Sequence, residues 1–424
     1  MSRTRWRAET ALALLVAAIV TIGGGGALYF VSTMAVHPDP AAVPSTPGVH
    51  AERYPGAIEE SRRLAHALLL EDNLPGLSVA VARDGEIVWT EGFGWADLED
   101  RVPVTPGTQF RLGSVSKTLT AAAVALLHER GRIDLDAPVQ TYVPAYPQKP
   151  WTVTTRQLMG DIAGVHRIRG DNNDNLPGGE CASLDQALAT FAGEPLLFEP
   201  GTRYRFATNG WILVSAVVEA AAGEPLATFM TREILEPLGM TSTVLEDGAD
   251  IPDLTSSYIP RANMRTKLGV RKGPRLHSCL AGAGAFFSTP SDLVLFGSAM
   301  LKPGVLKADS IALLQTPLRL RSGASTDFAL GWKVERVQLA GAPARMVAHR
   351  ATPNGSTVAL LMFPDHGVVV AAASNISPAD GVDATGRKIA EAFTKPVLQD
   401  RVSSAGSGWR FHPPPTRAAQ AFRR

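Results

Sequence analysis

The sequence predicts an α+β fold: one antiparallel β-sheet flanked by helices, with an inserted, mostly helical subdomain. Three observations predict it. Near the start, the strand-like runs Leu77-Ser78-Val79-Ala80-Val81-Ala82 and Glu86-Ile87-Val88-Trp89-Thr90 are joined by Arg83-Asp84-Gly85, a strong hairpin signal. From residue 327 to 375 the pattern turns to strands again, at Phe328–Val337, Met346–His349, Thr357–Phe363 and Val368–Ala373, with Asp365-His366-Gly367 as the last hairpin. Helical segments lie between the two groups, so the early and late strands belong to one sheet interrupted by helices.

Taken in order, the chain begins with Arg3, Arg5 and Arg7 before 26 residues without a charge, Ala11 to Val36. This run exceeds a signal-peptide core and is long enough for a hydrocarbon layer of about 30 Å. Residues 1–36 read as a signal anchor or a signal peptide, with Thr33-Met34-Ala35 a poor cleavage site; an organelle-targeting segment is the remaining option. The arginines place that end in the cytoplasm and the rest outside it. Residues 37–51, with Pro38, Pro40, Pro44 and Pro47, read as an extended linker, and 52–396 as the folded domain. Residues 56–70 suit an amphipathic helix with Leu64, Leu68 and Leu69 on one face. A short helix starts at Thr154, residues 170–180 are a long loop, and Ile212–Ala222 is an apolar helix ended by Gly223. Ser288-Thr289-Pro290-Ser291-Asp292 opens a helix through Met300 by an N-cap, a proline and an acidic first turn. Residues 379–394 are helical, and 397–424 form a basic tail of disordered composition.

Composition bounds the function. The 424 residues are 45% hydrophobic and 19% charged with net charge +1, enough for a large core and no argument for nucleic acid as a partner. The sequence holds no Cys/His cluster at metal spacing and no phosphate-cradling glycine loop, so neither metal nor cofactor is expected. Cys181 and Cys279 can form one bridge if the domain is exported.

The segment that carries chemistry is Arg111-Leu112-Gly113-Ser114-Val115-Ser116-Lys117, which opens a helix running to Arg130 and stopped by Gly131. Ser114 stands at a helix N-terminus, where backbone N–H groups and the dipole favour negative charge. Lys117, one turn on, shares its face. A desolvated lysine can take a serine proton and turn a poor nucleophile into an active one. The same two residues also suit an N-cap and a solvated first-turn lysine. The case for chemistry is that no other serine in the chain has lysine three residues on.

Arg111 to Val143, with Gly131-Arg132-Ile133-Asp134-Leu135-Asp136 after the helix, resembles the serine β-lactamase and penicillin-binding-protein superfamily, nearest its class C branch and the mitochondrial serine β-lactamase-like proteins. Pro200-Gly201-Thr202-Arg203-Tyr204, residues 281–289 and His349 add to the likeness, which covers about residues 52–396. The resemblance implies a β-lactamase/transpeptidase-like fold, Ser114 as nucleophile and Lys117 as its assistant. It places Phe206-Ala207-Thr208 where the family has a tyrosine motif, so the phenol oxygen is missing. It places His349-Arg350-Ala351 at the third motif, with alanine where glycine is usual, and makes the N–H groups of Ser114 and Thr352 the oxyanion donors. Phe206, Thr208 and Ala351 are then substrate-contacting positions, and His349 is a catalytic candidate with a proton to exchange near neutrality. Tyr204 is expected in the core, His166 is a weaker histidine candidate, and Arg350 is expected to point away from the cleft by strand alternation. Cys181 would lie in the loop region over the cleft and Cys279 beside the glycine-rich stretch bordering it, either bridged or as two thiols.

The expectation is a membrane-held or secreted serine hydrolase, outside the cytoplasm, that forms an acyl-enzyme at Ser114 on a small peptide, ester or β-lactam. The alternative is a catalytically degenerate relative with a ligand-binding or structural role.

Overall fold

The computed structural model describes residues 35–166, 181, 183–246, 251–261, 264–268 and 278–394. The expected membrane segment and basic tail lie outside these residues almost entirely, as does the long loop at 170–180.

Among the described residues seven strands build the main sheet: β1 (Ser45–His50), β2 (Gly76–Arg83), β3 (Glu86–Asp97), β4 (Lys333–Leu339), β5 (Ala342–Ala351), β6 (Thr357–Phe363) and β7 (Val368–Ser374). Their order is β1-β3-β2-β7-β6-β5-β4, every neighbour antiparallel, with Val102–Pro103 as a short eighth strand beside β3. The early and late strands meet where β2 pairs β7, Val81 opposite Val370. Five helices position the site: α1 (Pro55–Glu71), α2 (Ser116–Glu129), α3 (Thr208–Ala222), α4 (Pro290–Ala299) and α5 (Gly381–Thr394).

Strand alternation divides the interior in two. On one face, Leu77, Val79 and Val81 of β2 and Val368 and Val370 of β7 pack with Ile58, Leu68 and Leu69 of α1 and Ile389 and Phe393 of α5. On the other, Ala80 and Ala82 of β2 and Val369 and Ala371 of β7 pack with α4 and the helical subdomain around α2 and α3. The small alanines on this second face let α4 approach the sheet closely.

Helix α2 is buried from Ser116 through Leu127, on every side. Its serines, threonines and alanines leave room for neighbours all round, so this helix is the axle of the subdomain and not an amphipathic surface helix. Helix α3 is its partner and is likewise buried from Thr208 to Val218.

Three elements depart from expectation. The proline-rich segment is not a free linker: Ser45–His50 pairs with β3 as the sheet's edge strand, and His37 Nε2 bonds to Leu74 O at 2.8 Å. Prolines are compatible with an edge strand because one side of it makes no ladder bonds. Helix α3 starts at Thr208, four residues before the expected Ile212. The expected strand Phe328–Val337 begins only at Lys333, because Ala329–Trp332 form a tight turn with Gly331 at φ +87°. Among the described residues there are also a three-stranded sheet, in which Phe286–Ser288 pairs with Phe110–Arg111 and with Val244–Leu245, and a hairpin of Ser257–Arg261 with Met264–Leu268.

Candidate active site

Ser114 lies in a 3-10 turn, Gly113–Val115, that runs directly into α2. Gly113 has φ +51°, and a Cβ there would sit 2.7 Å from the Pro353 ring. Glycine therefore lets the serine turn dock against the loop that leaves β5. A cavity of about 220 Å³ opens at this junction, lined by Ser114, Phe206, Thr208, Ala351 and Thr352 among others. Five predicted substrate-side positions thus share one cavity although they come from three distant stretches of chain.

Lys117 lies beneath it, 1% exposed, with Nζ 2.9 Å from Ser114 Oγ and 2.9 Å from Ala283 O. The Ala283 carbonyl is held by the turn Ser278–Ala283, which is fastened to both central helices: Thr120 Oγ1 donates to Gly282 O at 2.8 Å, and Gly282 N–H donates to Ser215 Oγ at 3.1 Å. A Cβ at Gly282 would meet Thr120 Oγ1 at 2.2 Å, so this approach also depends on glycine. Cys279, in the same turn, is disulfide-bonded to Cys181 across 98 residues of sequence.

The Phe206 ring lies 4.8 Å from Lys117 Nζ. It offers a π-face to an ammonium but no proton. Tyr204 does not replace it: its ring stacks on Phe328 at 4.7 Å, and burial together with the charge of Asp161 holds its hydroxyl protonated. His166 is half-buried and is not on the cavity wall.

His349 lies on the cavity-side face of β5, 7% exposed, and is not part of the cavity wall. Its Nδ1 is 2.7 Å from Gly331 O. A carbonyl only accepts, so Nδ1 carries the proton and Nε2 the lone pair. Burial, with the positive charge of Lys117, lowers its pKa to about 4, so the ring is neutral at pH 7. The Gly331 turn that displaced the expected strand is thus what orients this histidine. Arg350, its neighbour, points to the opposite face, where its guanidinium pairs with Asp383 of α5 and with Glu335 of β4.

One residue of the site was not singled out from the sequence. Asp161, in the turn after the short helix Thr155–Met159, is 6% exposed, and its Oδ1 accepts the Ala207 N–H at 3.1 Å. Burial raises its pKa, and the charge of Lys117 opposes the rise. The available signal was a lone carboxylate in an otherwise apolar loop, Asp161-Ile162-Ala163-Gly164-Val165. Among the described residues no group of three His, Cys, Asp or Glu is placed to hold a metal ion.

The helix-borne Ser114–Lys117 pair at the junction with β5 can be compared with known proteins. The family model described as Beta-lactamase matches residues 60–393. The chain belongs to the beta-lactamase family. That membership makes it a protein of the serine-hydrolase kind, and the fold agrees with it. The human mitochondrial serine beta-lactamase-like protein LACTB is 29% identical over 458 aligned positions, covering 83% of this chain and 82% of that protein. Esterase EstB of Burkholderia gladioli is 34% identical over 186 positions, which cover 41% of this chain and 47% of the esterase. In structure, the D-amino acid amidase of Ochrobactrum anthropi SV3 complexed with L-phenylalanine amide superposes with a TM-score of 0.67 at 19% identity, over 80% of this chain and 98% of the amidase.

Proposed function

We propose that this member of the family hydrolyses an amide or ester through an acyl-enzyme at Ser114, its substrate a small peptide, a D-amino-acid derivative or a β-lactam. The observation that carries the reading is the 2.9 Å contact between Lys117 Nζ and Ser114 Oγ beside an open cavity. With its amine unprotonated, Lys117 accepts the Ser114 proton as Oγ bonds to the substrate carbonyl carbon. The Ser114 and Thr352 N–H groups receive the oxyanion, the C–N or C–O bond breaks, and the lysine proton goes to the departing amine or alcohol. Water then cleaves the Ser114 ester by the reverse roles. Neutral His349 is a hydrogen-bond acceptor behind the cavity in this scheme, in place of the group titrating near neutral pH expected from the sequence.

The names of the esterase and amidase relatives support the bond types. For location we propose a domain held or released outside the cytoplasm, on the Arg3–Arg7 and apolar N-terminal pattern and the Cys181–Cys279 bridge, which suits an oxidising compartment. Among the described residues no single helix is long and apolar enough to cross a membrane.

The second reading, a ligand-binding relative without turnover, is favoured by Phe206, which offers Lys117 a ring without a hydroxyl. Labelling of the purified domain with a fluorescent fluorophosphonate and a fluorescent penicillin separates the two. Labelling that vanishes in Ser114→Ala supports the hydrolase, and Phe206→Tyr then speeds acylation by up to about 10²-fold, the low end for a positioned acid–base group. A folded wild-type protein that neither probe labels leaves the binding reading.

A further inference from the structure

Lys117 and Asp161 are two buried ionisable groups, one basic and one acidic, that reach the site from different elements. Lys117 comes from the first turn of α2. Asp161 comes from the turn after Thr155–Met159, where its φ of +55° and two bonds hold it in place: Ala207 N–H to Oδ1 at 3.1 Å, and Arg205 N–H to its backbone carbonyl at 2.8 Å. Both bonds run to the segment Tyr204–Ala207, which carries the Phe206 ring to within 4.8 Å of Lys117 Nζ. The turn therefore ties the Asp161 carboxyl to the segment whose aromatic ring lies over the Lys117 amine, and the two ionisable groups act on each other electrostatically.

Among the described residues, two other ionisable groups near this pair are uncharged at neutral pH, while the arginines Arg111 and Arg350 also line the cavity. From β5, His349 is kept neutral by burial and by the lysine itself; from the segment before α3, the Tyr204 hydroxyl is kept protonated by burial and by Asp161. Ser114 Oγ and Ala283 O accept from Nζ. In this setting the proton count of Lys117 answers to Asp161 through a low-dielectric interior, where an opposite charge favours the ammonium.

We propose that Asp161 is a positioning residue for the Ser114–Lys117 pair: its carboxylate is the counter-charge that sets how readily Lys117 holds a proton. This rests on the reading of Ser114 as nucleophile. The proton Lys117 takes from Ser114 creates an ammonium, and Asp161 stabilises it until the proton passes to the leaving group; Asp161 itself neither gains nor loses a proton in the cycle.

Asp161→Asn is the informative variant, because asparagine tolerates the left-handed backbone region and its carbonyl can still accept from Ala207 N–H. Two readouts are taken against pH: the Lys117 Cε and Nζ resonances in isotope-labelled protein, assigned with Lys117→Met, and the rate of fluorophosphonate labelling. The Lys117 midpoint moves down by about one unit or more in Asp161→Asn, a tenfold change in proton affinity. The rising limb of labelling moves down with it. A Lys117 midpoint that stays put overturns the proposal, whatever happens to the overall rate. A shifted midpoint without Ser114-dependent labelling in the wild type leaves Asp161 as the counter-charge and removes the hydrolase reading instead. Should Asp161→Asn fail to fold, linkage supplies the reciprocal test: the Asp161 carboxyl midpoint moves up in Lys117→Met, and an unchanged one overturns the proposal.

Discussion

At the scale of single residues, the site is a set of ionisable groups held by burial. His349 is buried as the neutral imidazole, with a folded pKa of about 4 against an ordinary 6.5. Between those values the unfolded chain binds the proton that the native ring refuses, so this residue's contribution to stability is complete above pH 6.5 and is lost as pH falls toward 4. The shift corresponds to about 3 kcal/mol at most. Asp161 acts with the opposite sign, since a carboxyl whose pKa burial raises stabilises the fold at low pH and loses that contribution as pH rises. The measurement is therefore a difference. Urea midpoints of wild type and His349→Asn, compared at pH 7 and pH 4.5, converge as pH falls. A constant gap between them means that the native pKa of His349 is not lowered below its ordinary value.

At the scale of elements, the decisive device is the turn Ser278–Ala283. It presents the Ala283 carbonyl to Lys117, accepts a bond from Thr120 of α2 and donates one to Ser215 of α3, holds Ala281 at φ +40°, and is tied by Cys279 to Cys181. The pairing was open in the sequence, because two cysteines 98 residues apart state nothing about distance in space. Removing the bridge with a Cys181→Ser, Cys279→Ser double variant lowers stability by about 2–5 kcal/mol, the range for long closed loops. Thermal melting under matched conditions checks this. Fluorophosphonate labelling slows as well, because the carbonyl that anchors Lys117 loses its covalent tether. An unchanged rate in a folded double variant shows that the bonds to Thr120 and Ser215 suffice to hold the turn.

At the scale of the whole molecule, one layer is made by the two ends of the domain. Helix α1 and helix α5 cover the same face of the sheet and share one apolar core. Val382, Ile389 and Phe393 of α5 are at most 1% exposed, and burial of each such side chain is worth about 1.5–3 kcal/mol. Their sum approaches the total stability of a typical domain, about 5–15 kcal/mol. A chain ending before Gly381 therefore fails to fold cooperatively, whereas one ending after Thr394 keeps α5 and unfolds in one cooperative transition. Circular dichroism melts of the two truncations decide it. Arg350 would also lose its partner on this face, since Asp383 leaves with α5.

The strand and helix alternation, the hairpin at Arg83-Asp84-Gly85, the Ser114–Lys117 spacing and the outward turn of Arg350 were legible in the sequence, because each depends on residues close together in the chain. The edge strand Ser45–His50 was not, since a proline-rich segment pairs only when a sheet edge is there to receive it. The tertiary structure also decided that Ala329–Trp332 turn under α2 instead of extending a strand, so that Gly331 O fixes the tautomer of His349. It alone brought Asp161 into the electrostatic range of Lys117. Local chemistry is written at short range along the chain, whereas burial and through-space charge arise only when distant segments enclose the same volume.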